Sequence, residues 1–433
     1  MSVPTGSDNG SDRTNSKLFT PLTIANGKIK LSHRVIMSPM TRNRGLPLTE
    51  GTPESPNRIW YPDELVAEYY AQRATEGGLL ITEGIPPSVE AGAMPQVPGL
   101  FHPSQVSGWK KVVDEVHSKG GYMYAQLWHA GRVSIPQMTG CPTVSSSATP
   151  WDSDEKYPFR TPLTKEKIAY RDFPPVELSK EGIERVIGEY VQEAKVAIEE
   201  VGFDGVEVHA GNGYLPDQFL HSNINVRTDE YGGSLQNRCR FVLELVDALV
   251  EAVGESNVGI RLDPCGMMNH TYGLERVETW SYLCRELKRK HRLSYVHFIE
   301  PRLDLVAALE GGEDSAYSEE KKELFRKGWS LPKVELKIFR GIFRVEGEST
   351  PVFSAGGWDE TRVWGVLEEG RYDALVFARW FLSNPDLVER LRHGRPLNAY
   401  DRSRFYGSYD GREKGYVDYP TWEQLEETKR LAN

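Results

Sequence analysis

The chain has 433 residues, 39% hydrophobic and 26% charged, an ordinary globular mixture able to bury a large core. Its formal net charge of −10 argues against nucleic acid or an anionic membrane as main partner, since phosphate-rich surfaces call for a basic footprint. No run approaches the roughly 18 apolar residues that a membrane span requires.

In chain order, residues 1–17 (MSVPTGSDNGSDRTNSK) are polar and lack the apolar stretch of a secretory signal. They are expected to be a disordered tail ahead of one domain over 18–433. Next, TIANGKIKL places Asn26-Gly27 between apolar flanks. Both turn positions of such a pair favour positive φ, so a hairpin is expected there, closing one end of the domain. Eight short apolar runs then appear, at 34–39, 79–84, 122–127, 205–210, 258–263, 295–300, 351–356 and 374–379. Most lean to Val, Ile, Leu and aromatics, as buried parallel strands do. Helical periodicity fills 64–77, 179–202 (opening on the cap residue Ser179), 236–254 and 360–370, the last two closing on Gly.

Strand followed by helix, eight times over, predicts an α/β fold of the (β/α)8 TIM-barrel type, with an N-terminal β-hairpin closing one end. A doubly wound open sheet is the competing fold; the strand count and the missing GxGxxG after the first strand favour the barrel. Three long insertions, at roughly 43–62, 130–178 and 301–335, fall on the C-terminal side of strands, where barrels build their sites. The basic run Arg285–Arg292 reads as a solvated helix face. Cys141, Cys239, Cys265 and Cys284 form no CxxC pair, so reduced thiols in the cytoplasm are expected and no metal site is.

The strand ends carry polar groups that must converge on one face of a barrel. In order they are Pro39-Met40-Thr41, Gly84, Gln126, His209 with Asn212, Arg261, Glu300, Gly356-Gly357 and Ala378-Arg379. Loops after strands seven and eight commonly hold phosphate; a Gly pair admits close backbone approach, and Arg379 supplies a cation. His209 and Asn212, three apart on a Gly-containing loop, are able to point two N–H donors at one carbonyl oxygen. Each such donor is worth on the order of 3 kcal/mol in a transition state. Tyr214 just beyond is a candidate proton donor. Arg261 either pairs with Asp263 or stabilises an anion on a cofactor. No strand end offers the Lys of a Schiff-base aldolase, and a glycosidase would have to pair Glu83 with Glu300.

The segment GVEVHAGNGYLPDQFLHSNINVRTDEYGG (205–233), with SPMTR (38–42), AQLWHAGR (125–132), GIRLDP (259–264), HFIEPR (297–302), SAGG (354–357) and FARWFLSNPDLVERL (377–391), resembles the old yellow enzyme family over roughly residues 18–425. These are FMN-dependent NADPH dehydrogenases and ene-reductases, and the resemblance is to their eukaryotic, fungal-like form. It implies a flavoprotein oxidoreductase with FMN at the top of the barrel. Pro39 and Met40 would lie near flavin N5, Thr41 at the C4 oxygen, Gly84 and Gln126 at the polar ring edge, and Arg261 at the N1/O2 edge. Gly356, Gly357, Ala378 and Arg379 would form the phosphate end. His209 and Asn212 would hold the carbonyl of a small enone or enal, Tyr214 would protonate its α-carbon, and Trp128 and Tyr406 would line the pocket. NADPH or NADH would reduce the flavin in a ping-pong cycle. A redox-neutral isomerase or a desaturase would use the same constellation. The resemblance is compatible with a monomer or a homodimer. Gly211, Pro216-Asp217 and Cys265 depart from the usual family pattern, which bears on substrate preference rather than on the core chemistry.

Overall fold

A computed structural model describes residues 13–309, 318–344, 350–407 and 411–432. Eight parallel strands close into a barrel: β1 (Val35–Met37), β2 (Leu79–Ile85), β3 (Tyr122–Leu127), β4 (Gly205–Ala210), β5 (Val258–Leu262), β6 (Tyr295–Ile299), β7 (Val352–Ala355) and β8 (Ala374–Phe377). Each falls on one of the eight apolar runs, and β8 returns to pair with β1, which closes the ring. Among the described residues no helix is long and apolar enough to cross a membrane.

The pleat divides each strand between two environments, because successive side chains point to opposite faces. Val206, Val208, Ile260, Val296 and Phe298 belong to the shell between strands and helices. Ile36, Ile81, Tyr124, Tyr295, Phe353 and Val376 fill the barrel itself. Filling is tight enough to forbid side chains at two inward positions. A Cβ on Gly205 would sit 2.3 Å from the Tyr124 ring, and one on Gly259 would sit 2.7 Å from the Tyr295 ring.

The hairpin forms as the Asn-Gly pair predicts. Leu22–Ile24 pairs antiparallel with Ile29–Leu31, and Asn26 and Gly27 both take positive φ (53° and 97°). Ile24, Ile29 and Leu31 are buried in the same cluster as the interior residues of the barrel, so the hairpin seals the end where the strands begin. Of the polar stretch 1–17, residues 1–12 lie outside the described residues; the Arg13 N–H donates to the Arg392 carbonyl at 3.0 Å.

The outer helices include α1 (Glu64–Ala71), α2 (Pro103–Ser118), α3 (Lys180–Lys195), α4 (Leu235–Val253) and α5 (Arg276–Lys290). Ser179 caps α3 by accepting the Gly182 N–H, and α3 runs on through a π-turn to Gly202. The basic run ends α5 with Arg285, Arg289 and Lys290 exposed, as a solvated face. Two helical expectations need correction. The 64–77 helix stops at Ala71, where the Arg73 guanidinium takes the carbonyl of Tyr69 together with those of Phe381 and Leu382. The 360–370 segment is a series of turns rather than a helix, interrupted by Gly365 at φ +80°. Of the 301–335 insertion, Leu303–Leu309 and Glu319–Gly328 are helical, and 310–317 lie outside the described residues.

The close-packed interior yields a contrast. Gly205→Ala, which overpacks the Tyr124 ring, lowers the unfolding free energy by about 1–3 kcal/mol. Gly188→Ala in α3, where a Cβ would meet nothing within 4 Å, raises it by roughly 0.5–1 kcal/mol. Urea denaturation of the two variants beside the parent checks both signs.

Candidate active site

The C-terminal ends of β1, β5, β6, β7 and β8 open into a cleft of about 650 Å³, within the ordinary size of a small-molecule or cofactor site. Nine of the residues singled out from sequence line it: Met40, Thr41, Arg261, Glu300, Gly356, Gly357, Ala378, Arg379 and Tyr406. One end is built for an anion. Gly357 has φ +66°, and the point where its Cβ would lie is 3.2 Å from Arg362 Nη2 and 3.4 Å from Arg379 Nη2. Two guanidinium groups therefore meet over a backbone without a side chain, which suits the charge and the close approach of a phosphate. Gly356 is required for packing, because its Cβ would come within 2.4 Å of the Glu300 side chain.

Arg261 forms part of the other end. It is buried, and its Nε has no hydrogen-bond partner. A buried guanidinium facing a cleft with an unmet donor fits a ligand that brings an acceptor edge. Asp263 contributes to the charge of Arg261 from a distance, and the two form no ion pair. His209 and His297 flank Arg261 on the neighbouring strands in register.

Gln126 lies outside the cleft lining, and its amide nitrogen donates to Glu207 Oε1 at 2.8 Å inside the barrel. Gly84 and Pro39 do not line the cleft either. Gly84 lies beneath Trp128, with its Cβ position 2.9 Å from that side chain, so it acts as the floor of an aromatic wall. Pro39 leads into the lining pair Met40-Thr41.

The loop after β4 gathers the remaining candidates. The ring of Tyr214 meets His209 edge-on at 5.0 Å and Trp128 at 5.3 Å. Burial, then Arg261, then His297 hold the His209 imidazole well below the usual histidine range, so the ring is neutral. Its Nδ1 has no partner. Burial first, and Tyr406 second, push the Tyr214 phenol up to about 12, so it keeps its proton.

What bends the chain this way is a pair of carboxyls. Asn212 and Gly213 take left-handed conformations (φ +57° and +74°). Gly213 N–H donates to Asp217 Oδ2 at 2.8 Å, and the Asp263 carboxyl lies behind Asn212, whose backbone lowers its pKa a little. Gln218 Nε2 donates to the Gly213 carbonyl at 2.8 Å. Gly211 leaves room for Asp263, whose Cβ would be 2.8 Å from a Cβ there.

Comparisons with known proteins give the chain's family. The profile of the NADH:flavin oxidoreductase / NADH oxidase family matches residues 17–398. The chain belongs to that family. As a member of it, the chain is an FMN-dependent oxidoreductase with a nicotinamide hydride donor. It is 42% identical to the flavin oxidoreductase hxnT of Emericella nidulans, over 93% of this chain and 97% of that one. It is 37% identical to 12-oxophytodienoate reductase 1 of Oryza sativa subsp. japonica, over 96% of each. The solved structure of morphinone reductase in complex with tetrahydroNAD aligns with TM-score 0.73 and 37% identity, over 93% of this chain and 97% of that one.

Three functional candidates escaped the sequence reading. Arg362 sits inside the segment read as a helix. Glu207 and His297 lie one inward step below the strand ends, at positions that strand parity alone would have flagged. The rival carboxylate pair does not form one site, since Glu300 lines the cleft and bonds Ser354, whereas Glu83 is buried away from it against Tyr70 and the Arg42 N–H.

The loop-fastening carboxyls give a pH-dependent stability. Burial pushes Asp217 up to about 7, partly offset by the Gly213 N–H and by Arg276. An acid with a raised folded pKa stabilises the fold fully below the ordinary Asp range of about 4, and that stability is lost as pH rises through about 7. Asp217→Asn, which keeps an acceptor for Gly213, should remove this term. Between pH 5 and pH 8 the variant should therefore lose roughly 2 kcal/mol less stability than the parent in denaturant titrations.

Proposed function

We propose that this flavin enzyme reduces the activated C=C bond of small α,β-unsaturated carbonyl compounds. The observation that carries the reading is a neutral buried imidazole and a protonated buried phenol in ring contact, next to a cleft with a guanidinium at one end and an anion cradle at the other. The named relatives are reductases, which is consistent with it.

FMN, when bound, supplies hydride transfer from NADPH or NADH to the β-carbon of the acceptor. The chain does the rest. Gly356, Gly357, Ala378 and Arg379, joined by Arg362, would hold the phosphate. Thr41 and Arg261 would meet the polar edges of the ring and Met40 would shape its seat, with Pro39 leading into that lining and Gly84 and Gln126 backing it from outside. His209 and Asn212 donate to the carbonyl oxygen and stabilise the enolate-like charge that develops there. Their effect rests on His209 being neutral, because a neutral ring donates a hydrogen bond without releasing a proton. Tyr214 gives its proton to the α-carbon, and a phenol with a raised pKa yields it only to a strongly basic carbon. Trp128 and Tyr406 wall the pocket and keep water from that carbon. Four unpaired thiols, three of them buried, speak for a reducing cytosolic setting.

The first test is direct. The purified protein should show a flavin band that NADPH or NADH bleaches without oxygen and that 2-cyclohexenone restores. A colourless protein that FMN cannot reconstitute overturns the reading, and a bleached band that no enone restores removes the reductase assignment while leaving the flavin. Single-turnover kinetics then separate the roles. Tyr214→Phe should leave reduction by the nicotinamide donor within a few-fold and slow reoxidation by the enone by about 10²–10⁴. His209→Ala or Asn212→Ala should each slow the same half by about 10²–10³. Arg379→Ala should weaken FMN by roughly tenfold and leave riboflavin, which has no phosphate, unchanged in fluorescence titrations.

A further inference from the structure

Beneath the cleft, one interior carboxylate is held with unusual care. Glu207 is fully buried inside the barrel. Its Oε1 accepts from Gln126 Nε2 at 2.8 Å, and its Oε2 from His297 Nδ1 at 2.8 Å. The hydrogen bond fixes the His297 tautomer with its proton on Nδ1, leaving a buried Nε2 without a partner. Burial alone would raise the Glu207 carboxyl, yet His297, Arg261 and Gln126 together hold it below the usual range, so it carries a full negative charge in the core. Arg261 is the cation it answers. Arg261 pairs in register with His209, the next inward residue after Glu207 on β4, and with His297, which bonds Glu207, so carboxylate and guanidinium share the barrel interior. Among the charges around Arg261, Glu207 comes ahead of Asp263 in offsetting the cost of its burial. Both Glu207 oxygens already have neutral donors, which leaves Arg261 free to present its N–H groups to the cleft.

We infer that Glu207, fixed by Gln126 and His297, is a positioning residue that sets the charge balance of Arg261 and thereby how strongly the site favours the reduced form of its flavin. Reduction of a bound flavin would add negative charge at the ring edge that Arg261 would face. With Glu207 in place, the guanidinium field at that edge is partly cancelled; without its charge, the full cation acts on the flavin. The carboxylate thus restrains the reduction potential, easing the return of electrons to an acceptor. The inference rests on the flavin reading above and goes beyond it in giving a role to a residue that touches neither flavin nor substrate.

The test uses FMN-loaded protein, and occupancy is read first from the visible spectrum. Failure of the parent to bind FMN would overturn the flavin reading and is seen before any potential is measured. The loaded parent and Glu207→Gln are then equilibrated without oxygen against a redox dye of known potential. At a fixed ratio of reduced to oxidised dye, the ratio of reduced to oxidised flavin should rise by about tenfold or more in Glu207→Gln. An unchanged or lower ratio in the loaded variant would refute the inference. Two further variants settle the matter should Glu207→Gln not fold. His297→Leu removes a donor from the buried carboxylate, favours its protonation and should shift the ratio in the same direction. His297→Asn, which places an N–H near the Nδ1 position, should restore the parent value. Equal ratios in both His297 variants and the parent would also refute it.

Discussion

An eight-stranded barrel leaves no room for solvent along its axis, so every second residue of every strand has to fill shared space. That constraint organises the molecule from one end to the other. Near the start of the strands the space is taken by Tyr124 and Tyr295, admitted by the bare backbones of Gly205 and Gly259. One step further the inward positions turn polar, with Gln126, Glu207 and His297 satisfying one another. Arg261, in register with His209 on one side and His297 on the other, carries the polarity on to the cleft. Apolar filling thus gives way to charge over two residues of strand, and the charge that reaches the cleft rests on a compensated layer beneath it.

The substrate-side loop depends on a second kind of fastening. Asn212 and Gly213 hold a left-handed turn with the Asp217 carboxyl accepting the Gly213 N–H from behind and Asp263 packed against Gly211. The Asn212 carbonyl accepts from Asn269 Nδ2 at 2.7 Å, and the Asn269 carbonyl accepts from Arg132 Nη2 at 3.2 Å. Asn269 and His270 themselves have positive φ, and His270 bonds to Asp152 in the insertion after β3. The loop after β4, the loop after β5 and the long insertion after β3 therefore form one connected wall. Local strain in three non-glycine residues is sustained by contacts drawn from separate parts of the chain.

How far the sequence disclosed this depends on the range of each signal. All eight strands were legible, because apolar runs bounded by turn residues report on a neighbourhood of a few residues. The hairpin was legible from Asn26-Gly27 for the same reason. The anion cradle was read in half: Gly357 and Arg379 stand at strand ends, while Arg362 reaches the same point from a segment whose apolar spacing imitates a helix and whose Gly365 breaks it. The end of α1 was missed because its terminator, the Arg73 guanidinium, binds carbonyls some three hundred residues away in the chain. Gln126 was given to the cleft from its place at a strand end, although its side chain turns to Glu207, a partner that no local pattern indicates. Charge compensation across the barrel is a property of closure and becomes visible only once the ring is closed.

The N-terminal hairpin has a consequence for traffic. With Ile24, Ile29 and Leu31 stoppering the floor, the barrel has no rear passage, and the cleft is the route by which anything reaches the ring. A dinucleotide and a carbonyl compound would then share one doorway and one landing. On the reading proposed above, occupancy by either would shut out the other, so the two would alternate. A surplus of acceptor would then obstruct the donor as effectively as a blocker, and the rate of turnover would become a question of how quickly each visitor vacates.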